Sequence, residues 1–227
     1  MKALDELNQR ITSCRLCPRL VRWREASAQH PPRRYRGQDY WAKPLPGFGD
    51  PKAHLLIVGL APAAHGGNRT GRMFTGDRSG DWLYGALYRA GFANRPESEK
   101  RGDGLELKNC YITAAVRCAP PANKPAVNEF RCCRPYLVQE LKIFREVKAV
   151  IVLGKVAFDS FLTAHQENGG TVPRPRPKFG HGVTVKLDDG PLLLCSYHPS
   201  QQNTFTGRLT QPMFQSIFDR ARTVLSR

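Results

Sequence analysis

Residues 54–81 form a stretch in which a short apolar run leads into a polar, glycine-rich loop with many chemically reactive side chains. The apolar run, residues 54–60, ends at Gly-Leu-Ala-Pro, and its length predicts a buried strand rather than a helix. In open α/β sheets, ligands bind beyond the carboxyl ends of the strands. We therefore expect a functional site here, with the candidates His65, Asn68, Arg69, Arg72, Phe74, Thr75 and Asp77.

Two further polar loops follow predicted strands. The apolar run 110–116 leads into a loop that contains Asn123 and Lys124, and the run 192–197 leads into a loop that begins at His198 and reaches Arg208. A fourth buried strand is predicted over residues 149–154. Because the carboxyl ends of parallel strands meet at the same edge of a sheet, we expect the three polar loops to lie close together.

Helical patterns alternate with the four predicted strands. The spacing of apolar residues predicts helices over 3–13, 81–91, 126–142, 155–165 and 211–225, with Asp81 or Ser79 as the N-cap of the second. We therefore predict one α/β domain over residues 1–227, in three layers, with a central four-stranded parallel sheet flanked by helices. Residues 1–50 form an N-terminal basic segment with a cysteine pair that packs on this core. The aromatic residues of 27–51 are expected to serve packing.

Lysine and arginine outnumber aspartate and glutamate by 35 to 19, which gives a formal net charge of +16. Such an excess, spread along the chain, favours a polyanionic partner such as nucleic acid over a chain that is merely basic. The apolar fraction of 41% is typical of a globular protein. Since the sequence has no apolar run of membrane-spanning length and no secretory signal, we expect a cytoplasmic monomer without a membrane partner.

Seven cysteines in a chain expected to be cytoplasmic argue against a disulfide framework. Cys14 and Cys17 form a C-x2-C pair closed by proline, a turn that presents two thiolates to one metal or cluster. Cys118 and Cys133 complete the set that we favour, although Cys132 competes with Cys133.

The second half of this cysteine set is not a C-x2-C knuckle. The four thiolates therefore suit an iron–sulfur cluster at least as well as zinc. Cys110 and Cys195 lie within predicted strands and are expected to be buried and unligated.

Four parts of the sequence together resemble the family 5 (type b) uracil-DNA glycosylases, from Cys14 to beyond Arg208. They are the cysteine pattern and the segments GLAPAAHGGNRTGRMFTGD, TAAVRCAPPANKP and SYHPSQQNTFTGRLT. The related family 4 carries an acidic residue in Gly-Glu-Ala-Pro-Gly, where this chain reads Gly59-Leu60-Ala61-Pro62-Ala63. Family 4 also has an asparagine where this chain reads Thr113-Ala114-Ala115. Both departures separate family 5 from family 4, and the first removes the usual catalytic residue of that motif.

The resemblance implies a four-stranded parallel sheet, a structural [4Fe–4S] cluster and monofunctional excision of uracil and other deaminated or modified bases from DNA. Matching the family's cysteines gives Cys14, Cys17, Cys118 and Cys133 as ligands. Cys133 falls ten residues after Asn123, as the family pattern expects, which makes Cys132 a neighbour and not a ligand.

Hydrolysis of an N-glycosidic bond requires the base to leave the helical stack, because a duplex hides the bond and the base edge. Phe74 could stack on the extruded base, and the amide of Asn123 could pair with a uracil edge. His198 could donate to O2 as negative charge develops there. Asp77 is our candidate carboxylate for the sugar or the water, with helix capping as the alternative role. Ala61 and Ala63 complete the expected base-binding and water-positioning loop.

The loop 201–208 is expected to enter the minor groove and fill the gap left by the base, with Phe205, Gln202 and Arg208 as candidate wedge or contact residues. Arg69, Arg72, Lys124 and the 173–178 loop are expected phosphate contacts. The alternative is a non-enzymatic iron–sulfur or zinc protein that binds nucleic acid or senses redox state. Such a protein would have no reason to place Phe74, Asp77, Asn123 and His198 at strand ends.

Overall fold

The computed structural model describes residues 2–226. In chain order its helices and strands are α1 (Lys2–Thr12), α2 (Pro18–Gln29), β1 (Phe48–Gly49), β2 (Leu55–Gly59), α3 (Gly67–Thr70), α4 (Arg78–Arg89), β3 (Cys110–Ala114), α5 (Val127–Ile143), β4 (Ala149–Leu153), α6 (Lys155–Glu167), β5 (Thr184–Val185), β6 (Leu192–Ser196), α7 (Gln201–Phe205) and α8 (Gln211–Leu225).

The strands form one sheet in the order β1-β3-β2-β4-β6-β5. The four inner strands are parallel, which confirms the α/β class and the four predicted buried strands. The sheet has six strands and not the expected four, because β1 and β5 add short antiparallel strands at its two edges. Each edge strand has two residues, too few for a hydrophobic pattern to reveal.

Helices cover both faces of the sheet, as the unbroken burial of β2, β3 and β4 requires. On one face, Leu55, Ile57 and Ile151 pack with residues of α4 and α8. On the other, Val58 and Val152 pack with residues of α5 and α6. The alternation of side chains along each strand thus produces the predicted three layers.

The N-terminal region contains two helices, of which the sequence pattern predicted only the first. Helix α1 buries Leu4, Leu7 and Ile11 and lies against α5. Helix α2 begins at Pro18, a favourable first helical residue because its missing N–H would have no partner there. Two of the aromatic residues of 27–51, Trp41 and Phe48, pack against the core as expected, and Trp41 lies under the Arg101 guanidinium at 4.3 Å.

Near the polar loops, the structure differs from the predicted secondary structure at two places. Helix α4 begins at Arg78, so its N-cap is Asp77 and neither Asp81 nor Ser79. The predicted loop 201–208 contains the short helix α7, whose five residues are too few to show a helical period. Within residues 2–226, no helix has the length and apolar character that crossing a bilayer requires.

Candidate active site

The three polar loops that follow β2, β3 and β6 meet at one edge of the sheet. The register pairs Gly59 of β2 with Ala114 of β3, so these two strands end side by side. Their loops surround a cavity of about 950 Å³. The predicted residues that line it are Ala61, Ala63, His65, Phe74, Asp77, Asn123, His198 and Gln202.

Phe74 forms one wall of this cavity together with His198. Their rings stack with centroids 5.8 Å apart and an interplanar angle of 30°. Two glycines leave the space that Phe74 occupies. A Cβ on Gly59 would lie 2.7 Å from the Phe74 ring, and one on Gly80 would collide with the Phe74 carbonyl oxygen. Phe74 itself has φ of 52°, an uncommon backbone conformation that often marks functional positions.

Asn123 lies on the opposite loop, in a tight turn formed by Pro121–Asn123. Both Ala122 and Asn123 have positive φ, at 51° and 55°. Asparagine tolerates this conformation better than most residues. The turn places Asn123 at the cavity.

Asp77 caps helix α4 with only one of its two carboxylate oxygens. Oδ1 accepts hydrogen bonds from the backbone N–H groups of Ser79 at 2.9 Å and Gly80 at 3.2 Å. Oδ2 has no donor within residues 2–226 and faces Gly66, where a Cβ would collide with it. Burial raises the pKa of Asp77, opposed by the two backbone donors. Capping and a free carboxylate oxygen are therefore compatible in this residue.

His198 is held by its backbone at the end of β6. Its carbonyl oxygen accepts from Asn203 Nδ2 at 2.8 Å. Burial lowers the pKa of His198 to about 4. The imidazole is therefore neutral near pH 7, with one nitrogen available as a donor.

Several residues that line the cavity were not among the predicted site residues: Arg34, Tyr35, Asp81 and Ala114. Tyr35 lies between two guanidinium groups, 4.6 Å from Arg34 and 4.3 Å from Arg69. The hydroxyl of Tyr40 lies 2.9 Å from His65 Nδ1. The sequence hinted at Arg34 and Tyr35 only through the basic and aromatic composition of residues 27–51. Composition alone could not show whether these side chains pack on the core or line the cavity.

The structure does not support the expected phosphate contact of Arg72. Its guanidinium is buried and forms two hydrogen bonds with Asp103, at 2.8 and 2.9 Å, and one with Ser98. Arg69 is also engaged within its own loop, where it donates to the carbonyl oxygens of His65 and Gly76. Both arginines therefore brace the loop.

Three other predicted DNA contacts, Lys124, Phe205 and Arg208, lie on the surface and do not line the cavity. Lys124 and Arg208 are exposed. Phe205 is 66% exposed at the end of α7, with the Arg78 guanidinium 4.7 Å from its ring centroid. Because Arg78 lines the cavity, this exposed aromatic ring lies near it and is available to a partner.

The four favoured cysteines line one small cavity between the N-terminal region, the loop after β3 and α5, and Cys132 lines it too. Cys118 Sγ accepts from Arg24 at 3.0 Å, and Cys133 Sγ accepts from the backbone N–H of Arg117 at 3.3 Å. Cys133 is buried, whereas Cys132 is exposed. Within the described residues, no three His, Cys, Asp or Glu side chains lie close enough to share a single metal ion.

The chemistry of this donor set suits an iron–sulfur group. Burial raises the pKa of Cys17 and of Cys133 to about 12, and coordination to a metal makes a cysteine a thiolate. N–H donors directed at cysteine sulfur are typical of such centres. Cys110 and Cys195 are instead buried within β3 and β6, as expected.

Comparison with known sequences agrees with this fold. The sequence profile of the Uracil DNA glycosylase superfamily matches residues 46–222, and the chain belongs to that superfamily. The Type-5 uracil-DNA glycosylase of Mycobacterium tuberculosis is 51% identical over 97% of this chain and 81% of its own length. That of Thermus thermophilus is 49% identical over 94% of each chain. A Type-4 uracil-DNA glycosylase of Pyrobaculum aerophilum is 32% identical over 87% of this chain and 83% of its own length. The chain is therefore a member of the Type-5 uracil-DNA glycosylases.

Proposed function

We propose that this protein removes uracil from DNA by hydrolysing the N-glycosidic bond of an extruded nucleotide, which leaves an abasic site. The observation that carries this proposal is the convergence of Phe74, Asp77, Asn123 and His198 on one cavity at the carboxyl ends of the strands. Each of these residues has a different role in the reaction.

Phe74 and Asn123 recognise the base. The Phe74 ring stacks on the extruded base, since an aromatic face accepts any planar base. The Asn123 amide donates to uracil O4 and accepts from N3–H, the pattern that distinguishes uracil from cytosine. The positive-φ turn holds the backbone of Asn123 beside the cavity.

Departure of the base is assisted by His198. Negative charge collects on uracil O2 as the bond breaks, and a neutral imidazole can donate a hydrogen bond to it. A donor directed at charge that develops in the transition state contributes about 3 kcal/mol. The lowered pKa of His198 supports this role, because the group is already neutral and needs no proton loss before it acts.

Asp77 acts on the sugar side. Its Oδ2 accepts a proton from the attacking water or stabilises the oxocarbenium-like sugar by its negative charge. The hydrogen bonds to Oδ1 hold the carboxylate in place during the reaction. Backbone groups of Ala61 and Ala63 help to position the water.

Small side chains support a range of bases wider than uracil. Ala61, Ala63 and Ala114 line the cavity and leave room beside the Asn123 amide. A purine such as a deaminated adenine would require this additional space. We therefore propose that other deaminated or modified bases are also substrates.

Phe205, Gln202, Lys124 and Arg208 complete the DNA interface. Phe205 is exposed beside the cavity and is the apolar side chain best placed to fill the gap in the duplex. Lys124 and Arg208 contact phosphates. We assign Arg69 and Arg72 to bracing the loop instead.

Cys14, Cys17, Cys118 and Cys133 are proposed to hold a [4Fe–4S] cluster. When bound, the cluster supplies a cross-link that holds α1 and α2 against the DNA-facing edge. Iron and sulfide analysis together with the visible spectrum tests this: a brown protein supports it, and a colourless, zinc-loaded protein contradicts it.

The activity is tested with a duplex that contains one uracil. Alkali after incubation should cleave the uracil strand at that position, and omitting alkali should leave it intact, because a monofunctional enzyme produces only the abasic site. A matched duplex with thymine is the control. Tight binding of the uracil duplex without base release would contradict the proposal and favour a binding protein.

A further inference from the structure

Arg24 of α2 is a buried arginine that has no carboxylate partner among residues 2–226. Its side chain is 2% exposed. The neighbouring Glu25 carboxylate pairs instead with Arg15 at 2.6 Å, and no carboxylate within residues 2–226 forms an ion pair with Arg24. A buried guanidinium that lacks an anion is strongly destabilising, so this position requires negative charge from another source.

The contacts of Arg24 identify that source as the cysteine cavity. Its Nη1 donates to Cys118 Sγ at 3.0 Å, and both terminal nitrogens lie 3.4 Å from the Cys14 carbonyl oxygen. One guanidinium thus connects the N-terminal cysteine pair to the loop after β3. Its Nε is buried without an acceptor within the described residues, which leaves one more donor at the lining of the cavity.

We propose that Arg24 is the counter-ion and positioning residue of the iron–sulfur cluster, an inference that rests on the cofactor proposed above. Four thiolates around a [4Fe–4S]²⁺ core carry an excess of negative charge, and one added electron increases it. A buried positive charge with an N–H···S bond stabilises the more negative state. Arg24 therefore raises the reduction potential of the cluster and slows the loss of its iron.

The same residue connects the cluster to the base-binding loop. The Arg24 carbonyl oxygen accepts from Asn68 Nδ2 at 3.1 Å. Asn68 is fully buried in α3, and its backbone N–H donates to the Ala63 carbonyl oxygen at 3.1 Å. Displacement of Arg24 would therefore reach a residue that lines the active-site cavity.

The experiment compares the cluster-loaded wild-type protein with Arg24→Gln, which removes the charge, and Arg24→Lys, which keeps the charge but cannot reproduce the two-sided contact. Arg22→Gln is the matched control, since Arg22 lies on the same helix and is exposed. The measurements are the midpoint potential by spectroelectrochemistry and the rate of iron loss to a chelator.

We expect Arg24→Gln to lose iron about tenfold faster or more, as removal of an outer-shell partner usually does. The midpoint potential of its cluster should fall. A fall of about 59 mV corresponds to a tenfold change in the equilibrium of one-electron reduction. Arg24→Lys should recover much of the potential but not the slow iron loss. A residue with a purely structural role would lower thermal stability and leave the potential unchanged.

The outcomes separate the two levels of the proposal. A wild-type protein without iron and sulfide would overturn the cofactor, whatever its glycosylase activity. A cluster-loaded Arg24→Gln protein that matches Arg22→Gln in both potential and iron loss would overturn the role of Arg24 alone. If Arg24→Gln does not fold, Arg24→Lys decides: iron loss at the wild-type rate contradicts the inference.

Discussion

At the level of single residues, the two oxygens of Asp77 separate a structural role from a chemical one. Oδ1 caps α4, whereas Oδ2 lies beside Gly66, and both residues line the cavity. Asparagine is as good an N-cap as aspartate, but it carries no charge. Asp77→Asn should therefore fold normally and reduce the single-turnover rate by about 10²–10⁴-fold, the usual contribution of a general base.

Asp77→Ala serves as the comparison for this prediction. It should lose the same rate and, in addition, about 1 kcal/mol of stability, because the cap is also removed. DNA affinity should change little in either variant. Full single-turnover activity of Asp77→Asn would show that another group activates the water.

His198 predicts a dependence of stability on pH. Its pKa is about 4 in the folded protein, below the ordinary value of 6.5. Between these values the unfolded chain binds a proton that the folded chain does not, so the free energy of unfolding falls as the pH decreases from 6.5 towards 4, by at most about 1.4 kcal/mol per pH unit. His198→Gln should reduce this loss between pH 7 and pH 5.

Urea unfolding at the two pH values measures this effect. His30→Gln is the control, since His30 is exposed and its removal should leave the pH dependence of the wild type. The prediction is wrong when both variants lose as much stability as the wild type between pH 7 and pH 5.

Arg72 illustrates which residue-level features escape a sequence. An arginine in a polar, glycine-rich loop looks like a surface cation, and its partner Asp103 lies in a separate segment. Only the folded chain brings the two together. Phe74, Asn123 and His198 were easier to predict, because each follows a predicted strand and the rules of parallel sheets bring such positions to one edge.

At the level of elements, Gly66 gives the turn before α3 the space that Asp77 needs. A Cβ at Gly66 would collide with Asp77 Oδ2 and lie 3.2 Å from the Ala63 Cβ. Gly66→Ala should therefore displace the carboxylate and reduce the rate of base excision, while the chain still folds.

Gly85→Ala in α4 is the matched control for Gly66→Ala. A Cβ at Gly85 would approach only the flexible end of Arg89, at 3.3 Å. Because alanine favours a helix over glycine by about 0.5–1 kcal/mol, this variant should be active and equally or more stable. Equal activity of the two variants would contradict the steric argument.

The elements that the sequence predicted are those with a long enough pattern. The four inner strands each have five residues, most of them buried, and their apolar runs were recognisable. Edge strands of two residues and the five-residue α7 are shorter than the periods that would identify them. Helix α2 has a weak apolar pattern, because one of its buried residues is Arg24.

At the level of the whole molecule, the net charge of +16 predicts salt-sensitive DNA binding. Each phosphate contact contributes about −0.9 to the slope of log K against log salt concentration. Lys124→Gln and Arg208→Gln should each reduce the magnitude of this slope by about 1, with little change in base preference.

Arg145→Gln controls for the loss of one positive charge. Arg145 is exposed and lies just before β4, at the opposite edge of the sheet from the cavity. Fluorescence anisotropy over a series of salt concentrations should give it the slope of the wild type. If all three variants shift the slope equally, the effect is one of total charge and not of phosphate contacts.

Because α1 packs on α5, its apolar face stays uncovered for part of the synthesis of the chain. The apolar face formed by Leu4, Leu7 and Ile11 is synthesised well before the end of the helix that covers it, at Ile143. A nascent chain therefore exposes this apolar face until α5 has emerged from the ribosome. Chaperone capture of arrested nascent chains should accordingly be strong before residue 143 emerges and should decline once that helix can dock.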